Sequence, residues 1–410
     1  MTQYNQTIDR LFQASFAQSA KTGLDNAHAL DCQLNCPASS YSLVHVAGSN
    51  GKGSVATKIA KVLELSGYCV GVYTSPHLFC FRERIAVNGK LIPEEDVVEG
   101  MQKIFAVVEK LGLSATFFEL ATFLAFDYFR KRGVDAAVIE TGLGGRFDAT
   151  NVISPVLSVI TSISREHVNL LGGEVELIAA EKAGIIKENI PVVLGPKARY
   201  QSIYDKARQM NSPVFASKKI SYFFDEENSA VAQLALESLA LHFKIDPEAL
   251  REGLSVRPPC RFERIGNVIL DVAHNPEAIF SLLQALHTFF PRGKFRFLVG
   301  FSKDKEYDRC LDLIADIAVH IHLVQAKSPR AATTQELEVA LEKEDPHLHT
   351  SYSSVKEGVA AACEEALAKG EILVICGSFY IMADAKAQLP KDSLDLNEKI
   401  LRSALSSAST

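Results

Sequence analysis

The stretch Val44–Ser54, V-H-V-A-G-S-N-G-K-G-S, constrains this chain more than any other. An apolar run from Leu43 to Ala47 enters a loop carrying Gly48, Gly51 and Gly53, and Val55, Ile59, Val62 and Leu63 leave it at helical spacing. Strand, glycine loop and helix in that order form a phosphate cradle. The glycines let backbone N–H groups turn toward phosphate oxygens, Lys52 adds a positive charge, and the helix N-terminus adds its dipole. The plain alternative is a glycine turn that only joins a strand to a helix. The loop departs from the common G-x-x-x-x-G-K-[ST] pattern twice. Only Ser49 and Asn50 separate Gly48 from Gly51, and Gly53 stands where a magnesium-binding hydroxyl is expected. The metal hydroxyl is therefore expected from elsewhere in the chain.

A chain of 410 residues is too long for one ordinary domain. An amphipathic helix is expected over 5–17, with strands at Cys69–Tyr73, Asp135–Glu140, Val156–Ile163 and Pro191–Gly195. Helical patterns cover Glu94–Leu111, Phe117–Arg132, Leu177–Lys187, Gln201–Met210 and Ser229–Phe243, and Asn88-Gly89 marks a hairpin within Ile85–Ile92. Alternating strands and helices predict an α/β fold with a mostly parallel sheet. Pro258-Pro259 stiffens the chain and marks a hinge at about 256–262. Beyond it, strands at Val268–Val272, Phe295–Val299, Val319–Val324 and Ile372–Cys376 alternate with further helices. The expected organisation is a P-loop ATPase domain over 1–257 and a smaller, Rossmann-like, doubly wound domain over 258–410.

Composition narrows the partners. A net charge of −6 without a dense Lys/Arg run argues against nucleic acid. The most apolar helix candidate, Phe117–Phe129, is interrupted by Glu119 and Asp127 and is too short to span a bilayer. Met1–Arg10 is polar and has no apolar signal core. The eight cysteines are scattered, which fits a reducing cytosol. A soluble, cytoplasmic protein is expected, and small anionic ligands stay open to it because local loops rather than net charge bind them.

In an open α/β sheet, ligands sit outside the carboxyl ends of the strands. The loops there carry Lys52, then Ser75 and His77, then Glu140, then Glu166 and His167. Together they offer a phosphate cradle and oxygen ligands suited to magnesium. Singly, Ser75 before Pro76 reads equally as a turn residue, Glu140 as a solvent-facing strand end, and His167 as a loop cap. Lys182, on a helix, reads by default as a solvated lysine. In the second half, Asp271-Val272-Ala273-His274-Asn275-Pro276 puts a carboxylate and an imidazole at one strand end as a candidate ligand edge, with a plain helix cap by Asn275 as the alternative.

Several segments in this order resemble the folylpolyglutamate synthases and dihydrofolate synthases, relatives of the Mur peptidoglycan ligases. They are Gly48–Ser54, Thr74-Ser75-Pro76-His77-Leu78, Glu140–Asn151, Glu181–Lys187 and Asp271–Pro276. The resemblance implies that Asn50, Gly51, Lys52, Gly53 and Ser54 hold ATP phosphates, and that Asn228, Arg261, Asp271 and His274 attend the nucleotide. It further implies that Ser75, Glu140, His167 and a carbamylated Lys182 hold Mg2+ at two sites, with K+ as a further cofactor. Lys52, Lys182 and His167 would serve catalysis. Thr116, Phe117, Phe118, Glu119, Phe147, Asp148 and Ala149 would bind the pterin. The implied reaction is ADP-forming ligation of L-glutamate to dihydropteroate and to reduced folates, through an acyl phosphate. A single-activity folylpolyglutamate synthase or a Mur-type ligase with another acceptor are the alternatives. A nucleotide-binding regulator would have no use for Glu140, His167 and Lys182 together. Departures from the family pattern include Ser49 for threonine, Glu166 for aspartate before His167, and Glu306 for the second aspartate of Asp304-Lys305-Glu306.

Overall fold

A computed structural model describes residues 2–16, 23–165, 174–342 and 347–389. The chain divides into two compact units, one formed by 1–220 with 225–257 and the other by 221–224 with 258–410. The division is therefore not a single cut. Four residues of the first stretch belong with the second unit.

The first unit opens with α1 (Gln3–Phe16), α2 (Asp25–Gln33), β1 (Ser42–Ala47), α3 (Lys52–Leu65) and β2 (Val70–Tyr73). There follow β3 (Ile85–Val87), β4 (Lys90–Leu91), α4 (Glu94–Leu111), α5 (Phe117–Arg132), β5 (Ala136–Glu140) and β6 (Leu157–Ser162). It closes with α6 (Val175–Ala183), β7 (Val192–Lys197), α7 (Gln201–Gln209), β8 (Val214–Ala216), α8 (Phe224–Ser238) and α9 (Pro247–Ser255). The sheet runs β4-β3-β2-β5-β1-β6-β7-β8, parallel from β2 to β8, with β3 and β4 as an antiparallel margin. β1 lies between β5 and β6 and pairs in parallel with both, Val46 opposite Glu140 and Val44 opposite Leu157. Buried Val, Ile and Ala fill these strands because helices cover both faces. On one face Val55, Ile59 and Val62 of α3 pack with Val44, Val46 and Val138, joined by Val231 and Leu236 of α8. On the other, Phe123 and Phe126 of α5 and Met101 and Ile104 of α4 pack over Tyr73 and Ile139. The Asn88-Gly89 hairpin forms as expected, with both residues left-handed at φ 47° and 68°. Helix α9 has no counterpart in the sequence reading, although Asp246 caps it through Glu248 and Ala249 and Pro247 starts it.

Lys58 stands on the buried face of α3 with its side chain fully enclosed. Its ammonium donates to the carbonyls of Leu254 at 2.7 Å and Val256 at 2.9 Å and pairs with Asp225 at 3.0 Å. The helix behind the glycine loop thus holds both places where the chain enters or leaves this unit near 225 and 257.

The second unit has β9 (Glu263–Ile265), β10 (Val268–Leu270), α10 (Pro276–Phe289), β11 (Phe295–Val299), α11 (Tyr307–Ala315) and β12 (Ala318–Leu323). It continues through α12 (Thr334–Ala340), β13 (His349–Ser351), α13 (Val355–Lys369) and β14 (Ile372–Cys376). Strand order is β13-β12-β11-β14-β10-β9, parallel except for the β9 edge. At the amino ends of these strands Arg296 is buried. It pairs with Glu371 at 2.7 Å and Glu365 at 2.9 Å, and donates to His322 Nε2 at 3.0 Å. Because Arg296 can only donate, His322 carries its proton on Nδ1 and gives it to the Tyr352 hydroxyl at 2.9 Å. Among the described residues, no helix is long and apolar enough to cross a membrane.

Candidate active site

The glycine loop leaves β1 and starts α3 with Gly51 left-handed at φ 84°. Its far side is tied to the end of β6. Ser49 N–H donates to the Ser162 carbonyl at 2.8 Å, and Asn50 N–H donates to the Ser162 hydroxyl at 3.0 Å. Thr161 Oγ1 donates to the Asn50 carbonyl at 2.6 Å. Lys52 arches back over the loop, its ammonium 2.9 Å from the Gly48 carbonyl and 3.2 Å from that of Ser49. Asn228 of α8 presses against the loop, since a Cβ on Gly51 would fall 2.3 Å from its Oδ1. Ser54 is buried in the first turn of α3.

Gly53 explains the missing hydroxyl of the loop motif. A Cβ there would lie 3.3 Å from Glu140 Oε2, so a Ser or Thr at 53 would crowd that carboxylate. Glu140 ends β5, is buried, and accepts the Ser75 N–H at 2.9 Å, which joins the loops after β2 and β5. The Ser75–Pro76 peptide is cis. Glu140 is therefore enclosed at the end of β5 beside the glycine loop, and its reading as a solvent-facing strand end is set aside.

The default reading of Lys182 is also overturned. It lies on α6 with 1% of its surface exposed, and its ammonium donates to the Gly48 carbonyl at 2.9 Å. The helix periodicity could not reveal this, because the partner is a carbonyl 134 residues away in sequence. His167 and Glu166 lie outside the described residues. Among the described residues, no group of three or more His, Cys, Asp or Glu side chains converges on one metal position. The hard-oxygen character of Glu140 and Ser75, and the space that Gly53 leaves beside the carboxylate, suit a magnesium ion.

The residues expected to meet the pterin divide by what their atoms do. Thr116 and Glu119 form a capping box on α5, Thr116 N–H donating to Glu119 at 2.6 Å and Glu119 N–H to Thr116 Oγ1 at 3.2 Å. Phe117 stacks on Phe12 of α1 at 5.2 Å, and the Arg84 guanidinium lies 5.0 Å from its ring centroid. Phe118 tilts against Tyr73 at 5.9 Å. Phe147 is exposed beneath the Arg146 guanidinium, while Asp148 and Ala149 are buried. Asp148 receives N–H groups from Gly142 and Leu143, each at 2.8 Å, and from Thr150 at 3.0 Å. Burial pushes its pKa up, and these hydrogen bonds pull against the rise. His77, which follows Ser75 closely, accepts from Arg84 Nε at 2.9 Å; burial and that guanidinium take its pKa down to about 3. Its ring is therefore neutral and keeps Nε2–H as a donor.

In the second unit, Asp271 follows β10 and accepts N–H groups from Phe262 and Ala273, each at 2.8 Å. His274 Nδ1 donates to the Val272 carbonyl at 2.8 Å, and its ring meets Phe379 edge-on at 5.5 Å. The Arg261 guanidinium lies 4.9 Å from the same Phe379 ring. Arg261 sits between two left-handed residues, Cys260 at φ 54° and Phe262 at φ 49°, a backbone form uncommon outside functional turns. Asn275 caps α10 by accepting from Ala278 at 2.9 Å.

A P-loop α/β unit followed by a doubly wound unit is the architecture of the Mur ligases, and comparison with known families agrees. Residues 46–230 match the Mur ligase middle domain, and residues 260–379 match the Mur ligase glutamate ligase domain. Within that class, the chain belongs to the dihydrofolate synthase/folylpolyglutamate synthase family. It is 35% identical to the Bacillus subtilis dihydrofolate synthase/folylpolyglutamate synthase, over 90% of this chain and 95% of that one. It is 30% identical to the Escherichia coli counterpart, over 88% and 90% of the two chains. Among solved structures, Mycobacterium tuberculosis folylpolyglutamate synthase complexed with ADP aligns at a TM-score of 0.86 and 27% identity, covering 96% of this chain and 99% of its own. Escherichia coli FolC in complex with DHPP and ADP aligns at 0.84 and 27%, covering 94% and 97%.

Proposed function

We propose that this protein is an ATP-dependent, ADP-forming amide ligase that joins L-glutamate to dihydropteroate and to the terminal glutamate of reduced folates. One observation supports this reading above the others. The glycine loop with Lys52, the Glu140 carboxylate and the buried Lys182 meet at the carboxyl ends of β1 and β5, with Lys182 on the Gly48 carbonyl at 2.9 Å. A phosphate cradle alone would suit any nucleotide binder; a carboxylate and an enclosed lysine against the same loop suit a ligase.

Carboxylates do not react with amines at neutral pH, so the acceptor carboxylate first takes the γ-phosphoryl group and ADP leaves. The glutamate amine then attacks the acyl phosphate, the C–O bond to phosphate breaks, and the amine proton passes to solvent as phosphate departs. Lys52 neutralises charge on the outer phosphates, and the loop N–H groups orient them. Magnesium, held by Glu140, Ser75 and His167, would supply further neutralisation of phosphate charge. We assign Lys182 a carbamate, since capture of carbon dioxide converts an enclosed cation into an anion suited to a second metal. Arg261, Asp271 and His274 remain the nucleotide residues of the second unit in this reading, with Asn228 and Ser54 in the first. Phe117, Phe118, Phe147 and Ala149 form the pterin surface, while Thr116, Glu119 and Asp148 shape it. K+ as a further cofactor, a monomeric state and a cytoplasmic location complete the proposal.

The test is ADP release by purified protein with magnesium, dihydropteroate and L-glutamate, each omitted in turn, then with tetrahydrofolate in place of dihydropteroate. Release that depends on glutamate with both acceptors is expected. Glutamate-dependent release with tetrahydrofolate alone refutes the dual activity, and none with either acceptor refutes the folate assignment.

A further inference from the structure

His45 occupies a core position of the central strand, between the buried Val44 and Val46, and is itself fully buried. An apolar residue would serve that position at lower cost, because His45 Nδ1 is enclosed with no hydrogen-bond partner among the described residues. What the imidazole does offer is its other nitrogen. His45 Nε2 lies 2.8 Å from Thr150 Oγ1, and the Thr150 hydroxyl lies 2.5 Å from Asp148 Oδ1. A hydroxyl has one proton, and a carboxylate already receiving three N–H groups can only accept it. The direction of the chain follows: His45 Nε2–H donates to Thr150, Thr150 donates to Asp148, and Asp148 gathers the N–H groups of Gly142 and Leu143. Burial and Lys187 lower the His45 pKa to about 3, consistent with the neutral ring this chain of bonds needs.

Resting on the function proposed above, we infer that His45 is a positioning residue for the acceptor surface. From the sheet core it fixes Thr150 and Asp148, and so the shape of the glycine-rich loop 141–150. Neither imidazole nor Thr150 touches the nucleotide loop through these bonds, so the relay acts on acceptor recognition and not on ATP. The Thr141 N–H also binds the Val46 carbonyl at 2.9 Å, so the loop starts and ends on the same strand segment.

The test uses the full chain with His45→Leu, which removes the donor, and His45→Gln, which returns an N–H at the reach of Nε2. Losing one hydrogen bond in a carboxylate network predicts a rise of about tenfold in the KM for dihydropteroate with His45→Leu. The KM for ATP should stay within about twofold, and His45→Gln should recover most of the loss. Hydrogen exchange at Gly142 and Leu143 should quicken about tenfold in His45→Leu while exchange in the β5 strand does not change. If His45→Leu does not fold, Thr150→Val against Thr150→Ser carries the same comparison, with the defect expected only in the valine variant. Unchanged loop exchange, equal rises in both KM values, or a defect shared by Thr150→Ser overturns the inference. Should the wild-type protein show no dihydropteroate dependence, the proposed activity falls, and the exchange measurement alone then decides the relay.

Discussion

Replacing Lys58 with methionine keeps an unbranched side chain, one atom shorter, and removes its charge. Three acceptors lose their donor: the Leu254 and Val256 carbonyls at 2.7 and 2.9 Å, and Asp225 at 3.0 Å. Leu254 retains the Ser229 hydroxyl at 3.2 Å, and Asp225 retains Arg257 at 4.0 Å. Burial pulls the Lys58 pKa down and pushes that of Asp225 up, so both charges bear a desolvation cost that their pairing offsets. Removing one partner of such a pair costs about 3–5 kcal/mol. The Asp225 side chain keeps 13% exposure, which places Lys58→Met near the lower end, at about 3 kcal/mol. Replacing both partners, Lys58→Met with Asp225→Leu, leaves no stranded charge and should restore all but the carbonyl losses, within about 1–2 kcal/mol of wild type. Urea unfolding read by hydrogen exchange of α3 and α9 amides is the appropriate assay, because two units need not unfold together. Destabilisation below about 1 kcal/mol, or a double variant whose loss equals the sum of the singles within about 0.5 kcal/mol, would refute the reasoning.

Three further outcomes are expected. Gly53→Ser supplies the hydroxyl of the common loop motif yet should lower ADP release at least about tenfold, because its side chain displaces Glu140; activity at the wild-type level would remove the steric account. Lys182→Ala should lose about 100-fold in ADP release, with partial recovery on adding short carboxylic acids; full activity without them rejects the carbamate. His322 titrates near 4 when folded, against an ordinary value of 6.5, through burial first and then His320 and Arg296. The unfolded chain therefore binds the extra proton between those values, and the stability of the second unit should fall as pH drops from 6.5 toward 4. His322→Gln should flatten that fall as read from β11 and β12 amide exchange, and an unaltered slope would exclude His322 as its source.

How far the sequence spoke depended on the range of the interaction. The glycine loop, the hairpin at Asn88-Gly89 and helices α4 and α5 were legible because their signals are local: turn chemistry, caps and periodicity within a few residues. Glu140, Ser75 and Lys52 were legible together because strand ends in a parallel sheet share one rim. Lys58 was not, since a lysine on the apolar face of α3 gains meaning only from carbonyls 196 and 198 residues away. His45 was hidden for the same reason, its partner Thr150 being 105 residues distant. The helical pattern around Lys182 taken alone reads as a solvated lysine, because its enclosure comes from tertiary packing and not from its helix; only the resemblance of Glu181–Lys187 points to a site role. A lone histidine inside V-H-V-A and a lysine on the apolar stripe between Val55 and Ile59 were the available signals, and each marks a buried polar group in need of a partner.

The excursion of residues 221–224 bears on how this protein can be taken apart or recombined. Phe223 meets Phe262 at 5.5 Å and Phe289 at 5.0 Å, and Phe262 meets Phe289 at 5.4 Å. A fragment beginning at Pro258 would lack Phe223 and leave the other two rings facing water where their neighbour had been. Exchange of the second unit between relatives by a single crossover at the double proline would pair one parent's Phe223 with another parent's pocket. The modular boundary of this ligase is thus threaded, and a clean swap must carry a four-residue stitch from well inside the first stretch of chain.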